Sequence, residues 1–558
     1  MSPISVSRRE FAAALAAPAL AAPAFLGEGG IDAALVARHD DAVDRLLKLQ
    51  ITDRAHPECG GYGDEFGLFG AGAGSGLVDA FIAAWGYKGS RHYQSSVLQE
   101  RMLLAAAYLT RKQHADGTID LLVTNFHSTP DVAFVIHGVA GAAWLAREFR
   151  NQAVSAALEP FVKRAGDALA HGGVHTPNHR WVVCEALAQI NELYPDARYT
   201  ARIAQWLAEG IDIDADGQYN ERSTTVYNPV TDKALMVVAL KTKRPELLEP
   251  VRRNLRSMLY LMHPGGEVVT EISRRQDQYN RGGMERYWLP LRYLAIHDDD
   301  GQFAEVVRRI ETKGASLSAY LRMPELLKPL PASKTLPEDF HKVMPVLGIA
   351  RVRRGALSAS VLMNGNSRFF TMRQGECVIE AVRFASAFFG KGQFRPDGFA
   401  QVGGAYRMTQ TMSGPYYQPL DPARVVDAAA WEEVRGQRRQ SEVQKLTYTV
   451  VVRERAKGFT VEIRAEGTAK VPLAVEITLR EGTQVEGVSA APGAAQAMLL
   501  KSGYATARVG RDAIRFGPGL GEHEYTQVRG AEAKLAGTGV YLCGFTPMER
   551  IIEFDVVG

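Results

Sequence analysis

The apolar residues of this chain change period near residue 325, and that change divides the sequence into two packing regimes. Before it they recur at helical spacing, as in CEALAQINELY (Cys184–Tyr194), RIAQWLAEGI and VRRNLRSMLYLM. After it they alternate. LTYTVVVRER (Leu446–Arg455), FTVEIRAEG (Phe459–Gly467) and AVEITLREG (Ala474–Gly482) each read as a strand with one buried face, bounded by turn residues. Between the two regimes lies the proline-rich RMPELLKPLPASKTLPEDF (Arg322–Phe340), a composition suited to an interdomain connection.

The helical half is punctuated at regular steps. Ser128-Thr129-Pro130, Thr176-Pro177 and Asn228-Pro229 each set a capping residue beside a proline, which the first helical turn tolerates because its missing N–H would be unpaired there anyway. Starts expected at Gly76 and Gly282 extend the series, with steps of about fifty residues, enough for two helices and their loops. Such a series predicts stacked helical hairpins in which every second helix points the same way. The N-terminal ends then gather on one face, where they favour anions. The expected fold is a multidomain α and β chain: an N-terminal α/α toroid, complete or incomplete, over 31–325, a linker over 326–340 and an antiparallel β-sandwich over 341–558.

The first thirty residues stand apart. SRREF (Ser7–Phe11) followed by AAALAAPALAAPAFL reads as a twin-arginine export signal over 1–30, which implies a periplasmic or secreted protein. No later stretch reaches the ~18 uninterrupted apolar residues of a membrane span. Cys59, Cys184, Cys377 and Cys543 are too sparse and scattered for a disulfide scaffold. A formal charge of +3, with arginines scattered rather than interleaved with aromatics, gives no reason to expect nucleic acid as a partner.

The chemistry-bearing residues fall at the helix starts. HTPNHRW (His175–Trp181) places Asn178 and His179 at one of them, and STTVYNP (Ser223–Pro229) places Tyr227 at the next. An amide, an imidazole and a phenol are the groups needed to remove a proton from carbon beside a carboxylate. Asn125 and His127 in TNFHSTPD either line the same cleft or cap the preceding helix. Arg274, Arg275, Arg281 and Arg286 form either a solvated face or a receptor for an acidic substrate, since guanidinium forks match carboxylates. Trp181, Tyr279, Trp288 and the glycine-rich loop CGGYGDEFGLFG (Cys59–Gly70) are candidate sugar-stacking elements, and Tyr406 or the Tyr416-Tyr417 pair are candidates from the sandwich. His171, His175 and His179 recur every four residues, but Gly172, Gly173 and Pro177 break the helix that would make them a metal face.

NHRW (Asn178–Trp181) and DGQYNERSTTVYN (Asp216–Asn228), in a helical half followed by a sandwich, resemble the α/α-toroid polysaccharide lyases of the heparinase II/III and oligoalginate lyase type. The second segment is similar to the stretch leading to the catalytic tyrosine of that family, with Tyr219 and Tyr227 both eligible. The resemblance implies β-elimination on a uronic-acid-containing glycan, with an anionic polysaccharide or oligosaccharide as the partner. Asn178 would hydrogen-bond the uronate carboxylate, a donor of the kind worth about 3–4 kcal/mol in such a transition state. His179 or Tyr227 would take the C5 proton, and the tyrosine would return one to the departing glycosidic oxygen. Arg180 and Arg222 are the cations nearest in sequence, and both are expected to contact substrate. The chain departs from the family in a shorter histidine-to-tyrosine interval and in having only His341 and His523 in the sandwich, which argues against the zinc site some members carry there. No cofactor and no metal is expected.

Two alternatives remain open at this level. An inverting glycoside hydrolase on a similar toroid would use two carboxylates, and Asp216, Glu221, Glu271, Asp277 and Glu285 supply enough of them. A non-catalytic exported carbohydrate-binding protein would use the same surface without turnover.

Overall fold

The computed structural model describes residues 30–421, 423 and 431–557, so the twin-arginine segment lies outside the described residues. The chain forms two compact units. The helical one comprises residues up to Asp212, Pro229–Arg252 and Glu285–Lys334, and the second comprises Ile213–Asn228, Arg253–Met284 and Thr335–Gly558.

The helical unit begins with α1 (Ala33–Leu49), followed by the hairpins α2 (Ala71–Gly86) with α3 (Ser96–Lys112), α4 (Thr129–Glu148) with α5 (Gln152–His171), and α6 (Pro177–Leu193) with α7 (Ala197–Ala208). Helices α8 (Tyr227–Thr242) and α9 (Leu248–Leu261) cross from one unit to the other, and α10 (Trp288–His297), α11 (Gly301–Gly314) and α12 (Leu317–Arg322) close the helical order. Helix α4 packs against α2, α5 and α6, and α5 against α3 and α7, giving an inner and an outer layer. The two layers differ in sequence as this requires. Inner α6 buries every residue from Trp181 to Ile190, whereas outer α7 buries only Tyr199 and Ile203. Helix α4 is long and apolar enough to cross a membrane, but 72% of its most apolar window is buried, as befits a core helix.

Three of the expected helix starts coincide with observed ones. Ser128 caps α4 by accepting from the Asp131 amide, α6 begins at Pro177, and at α8 the Ser223 hydroxyl accepts from the Tyr227 amide at 3.0 Å. The glycine starts are displaced. Helix α2 begins at Ala71, and Gly74 within it serves packing: a Cβ there would come within 2.7 Å of Leu109 on α3. Gly282 belongs to the second unit, and α10 begins at Trp288 after a short 3-10 turn.

A two-stranded hairpin, Ile119–Leu121 with Asn125–Ser128, leads into α4. Its approach turns at Gly117, where φ is +84° and a Cβ would come within 2.1 Å of the Arg164 carbonyl oxygen. Gly117→Ala is expected to cost about 2–3 kcal/mol through backbone strain and that clash. Urea unfolding checks this, and an unchanged midpoint would contradict it.

In the second unit, an eight-stranded sheet runs in the spatial order Gln484–Glu486, Ala505–Val509, Asp512–Gly517, Met548–Val557, Gly458–Gly467, Gln440–Arg455, Ala405–Tyr417 and Gly398–Val402. A ten-stranded sheet is centred on Pro472–Leu479, flanked by Thr538–Phe545 and Cys377–Ser386. Leu446, Tyr448, Val450 and Val452 of one sheet meet Phe370, Phe384, Val475 and Ile477 of the other in one core, the sandwich expected from the alternating pattern. Two details differ from expectation. Ala497–Leu499 pairs parallel to Thr538–Phe545, and Gly521 adds a parallel bridge to Cys543 of the same strand. Pro472–Leu479 is buried on both faces, because Ala474 joins a second cluster with Tyr541, Cys543 and Val528 on the outer side. Arg383 and Glu476, buried on neighbouring strands of this sheet, satisfy each other there at 3.0 and 3.1 Å. Residues Lys328 to Glu338 of the proline-rich stretch carry no helix or strand.

All four cysteines are free and buried, and burial pushes the thiols of Cys184 and Cys543 up to about 12.

Candidate active site

Asn178 and His179 occupy the first turn of α6 because Pro177 opens that helix, with the His179 amide donating to the Thr176 carbonyl. The Asn178 amide donates to the Thr176 hydroxyl at 3.2 Å. The His179 imidazole is 6% exposed and packs edge-on between Phe134 and the exposed His175, with centroids 5.8 and 4.7 Å away. Arg180 is committed elsewhere. It bonds Glu209 and Asp212, both at 3.0 Å, and stacks on Trp181, whose ring is fully buried with its N–H on Asp212. The expectation that Arg180 and Trp181 contact substrate is therefore corrected: together they anchor the loop after α7.

Asn125 donates to Asp131 at 2.9 Å, tying the hairpin to the start of α4. His127 is exposed, stacks on His114 at 3.8 Å and bonds Asp116 at 3.1 Å. Asp116 is held down at about 2, chiefly by the Thr118 hydroxyl and amide. Trp288 is likewise interior, 1% exposed, with its N–H on Glu311 and its ring edge against Tyr320, so it offers no face for stacking a sugar.

The second unit holds the tyrosine. Tyr227 is half-buried, its hydroxyl accepts from the Gln276 amide at 2.9 Å, and the Arg275 guanidinium lies 5.0 Å from its ring centroid. Arg275 is oriented by buried Glu221 at 3.3 Å. The loop carrying these groups is pinned by Asp277, which accepts from the Thr225 amide and hydroxyl and from the Ser273 hydroxyl. Asp216 accepts from the Leu347 amide. Asp216, Glu221 and Asp277 thus each hold a neighbouring backbone or side chain in place.

Of the two eligible tyrosines, Tyr219 is 3% exposed and sits in a bridge with Ile213, so Tyr227 is the accessible one. Arg222, at φ +51°, gives its guanidinium to the Val346 and Leu347 carbonyls at 2.8 and 3.5 Å, and burial together with Arg274 lowers its pKa. Arg274 bonds the Asn220 side chain at 3.0 Å. Arg222, Arg274 and Tyr279 line one polar cavity of about 490 Å³. Tyr406 is 4% exposed with its hydroxyl on His341, and burial pushes that phenol up to about 12; it is interior, whereas Tyr416 is 57% exposed. Among the described residues, no cluster of three or more His, Cys, Asp or Glu side chains is placed to hold a metal.

Sequence reasoning did not single out Gln276, Phe134 or Arg368. Gln276 and Phe134 carry no charge or motif that marks them. Arg368 lies in the loop between Leu357–Leu362 and Phe370–Gln374, a stretch from which no strand or motif was read.

Paired helices followed by a two-sheet sandwich make up the α/α-toroid and β-sandwich architecture of solved polysaccharide lyases, and the resemblance carried by NHRW and DGQYNERSTTVYN holds at the level of that fold. One such structure is heparinase III, with a TM-score of 0.54 and 12% identity over 97% of this chain and 87% of that one. A second is the chondroitin AC lyase of Streptomyces coelicolor A3 in complex with chondroitin sulphate, with a TM-score of 0.56 and 14% identity over 95% of this chain and 80% of that one. A third is a Paenibacillus xanthan lyase, with a TM-score of 0.54 and 9% identity over 94% of this chain and 56% of that one. No protein-family model and no curated protein matches the sequence.

Proposed function

We propose that this chain is a polysaccharide lyase that cleaves a uronic-acid-containing glycan by β-elimination and is exported by the twin-arginine route. The observation that carries the reading is Tyr227: a half-buried phenol at a helix start, hydrogen-bonded by Gln276 and faced by a guanidinium. Its fold neighbours, whose names record chondroitin sulphate and xanthan as substrates, support an acidic polymer.

The chemistry follows from the charge that develops. Removing the C5 proton of a uronate pushes electron density onto a carboxylate that is already negative, so that carboxylate must first be hydrogen-bonded. In this reading Asn178, at the positive end of α6, supplies the donor. His179 or Tyr227 takes the proton, and Tyr227 returns one to the departing glycosidic oxygen as the C4–O bond breaks and the C4–C5 double bond forms.

The test is incubation with a panel of uronate polymers, following the ultraviolet absorbance of the unsaturated uronate product. Saturated reducing ends without that absorbance would overturn the reading in favour of hydrolysis, and binding without any product would favour a carbohydrate-binding protein. On a polymer that is turned over, Asn178→Ala is expected to lower kcat by about 10²–10³-fold, the usual loss on removing one oxyanion donor. A drop confined to KM would argue against its role.

A further inference from the structure

Arg368 differs from the arginines around it. In the cavity it shares with Tyr279, Arg274 is engaged by Asn220, Arg222 by backbone carbonyls, and Arg395 by Glu532. In a second cavity of about 370 Å³, which Tyr279 and Arg368 also line, Arg373 is paired with Glu267, Arg480 with Glu267 and Glu380, and Arg281 with Glu380. Among the described residues, the Arg368 guanidinium meets neither a carboxylate nor a carbonyl. It lies flat on Tyr279, 3.4 Å from the ring centroid.

That placement is braced. The Tyr279 hydroxyl donates to the Asn366 side-chain oxygen at 3.0 Å, and the same oxygen accepts from the Arg368 amide at 2.9 Å. The Asn366 amide in turn reaches the Glu271 carbonyl at 3.4 Å. Tyr279 itself is held at φ +66°, a left-handed conformation costly for a side chain of this size, which a fold keeps only where its surroundings impose it. Stacking uses the face of a guanidinium and leaves its N–H edge available, the arrangement that accepts a carboxylate or sulfate bidentately. Burial lowers the pKa of this arginine, so a partner anion would offset a desolvation already present.

The balance of charge decides which cavity the anion enters. The cavity of about 370 Å³ is lined by four arginines and four glutamates, while that of about 490 Å³ is lined by four arginines and two glutamates, Glu271 and Glu532. The second has the positive excess, and its volume suits a short saccharide. Its wall includes Ser273 and Arg274, which directly precede Arg275, the residue facing Tyr227.

We infer that Arg368, braced on Tyr279 and Asn366, is the receptor for an anionic substituent of the glycan, a carboxylate or a sulfate, and so sets selectivity for acidic chains. The inference rests on the lyase reading for the identity of the ligand as a glycan, but its test does not require turnover. Binding of a sulfated uronate oligosaccharide is measured by calorimetry on the full chain, alongside its desulfated, its carboxyl-reduced and its doubly neutral forms. Arg368→Ala is expected to weaken binding of the charged oligosaccharide by about 10-fold or more, and to leave the neutral one unchanged. Arg368→Lys, which keeps the charge but not the fork, should fall between the two. Whichever singly neutralised form no longer distinguishes wild type from Arg368→Ala identifies the group that Arg368 holds. Equal affinity of wild type and Arg368→Ala for the charged form overturns the inference, and so does parallel loss for charged and neutral forms. Charge-selective binding without any unsaturated product would leave Arg368 assigned while refuting the lyase reading.

Discussion

Tyr227→Phe is expected to lower kcat on a uronate polymer by about 10²–10⁴-fold, the range for loss of a positioned acid or base. The substitution removes one oxygen from a half-buried ring, together with its hydrogen bond from Gln276, so the fold should survive it. The ring remains, and so does the face on which Arg275 rests. KM should therefore move little, because the phenol acts on the proton rather than on the resting sugar. The measurement is the rate of ultraviolet absorbance increase at saturating polymer, with circular dichroism as the control for folding. If the phenylalanine variant kept more than about a tenth of the rate, the proton transfer would have to be given to another group, and His179→Ala would then carry the larger loss.

The largest stability effect is expected at Glu185, on inner helix α6. This carboxylate is 1% exposed and gathers His137 at 2.8 Å, Lys233 at 3.5 Å and the Gln189 amide at 3.0 Å, while Arg322 bonds Gln189 and the His137 carbonyl. One ion thus joins α4, α6, α8 and α12. Burial alone would raise its pKa, but the charges of Lys233, His137 and Arg322 prevail and hold it down at about 2. Glu185→Gln is expected to cost about 2–3 kcal/mol, below the most severe buried-pair losses because Lys233 and His137 keep some contact with water. The sign of the pH dependence follows. The folded pKa lies below the unfolded value of about 4.3, so the contribution is complete above pH ~4.3 and fades as pH falls toward 2. Urea midpoints of wild type and Glu185→Gln should differ at neutral pH and converge in acid. A gap that persisted undiminished at pH ~2 would show that the glutamine acts through packing rather than charge.

Much of this architecture was legible from periodicity because the two halves bury apolar residues by different geometric rules. The starts at Ser128 and Thr176-Pro177 were readable because proline at both, and the capping hydroxyl at Ser128, leave a local signature. Gly76 and Gly282 misled, since a glycine marks a helix start only weakly: Gly76 falls inside α2 and Gly282 in the loop before α10. The positions of Asn178, His179 and Tyr227 at helix starts came from motif and spacing. The environment of Tyr227 did not, because Gln276 and Arg275 arrive from almost fifty residues away along a loop with no periodic signal. Arg180 and Trp181 were overread. Their neighbours in sequence suggested a site, while Asp212, thirty residues on, claims both side chains. Arg368 shows the converse, an arginine that among the described residues has no carboxylate partner, which only a folded neighbourhood can reveal.

The threading of the chain has a consequence for how the protein can be handled and made. Residues 213–228 and 253–284 are translated amid the helices yet belong to the unit completed by the final strands. Severing the proline-rich stretch would therefore yield two fragments that each lack part of their own contents, or carry part of the other's. During synthesis, the loop bearing Tyr227 and Arg275 must wait for more than half of the polypeptide to emerge before its supporting sheets exist. Expression of either half alone should accordingly give insoluble product, while co-expression of the two halves offers the route to a reconstituted molecule.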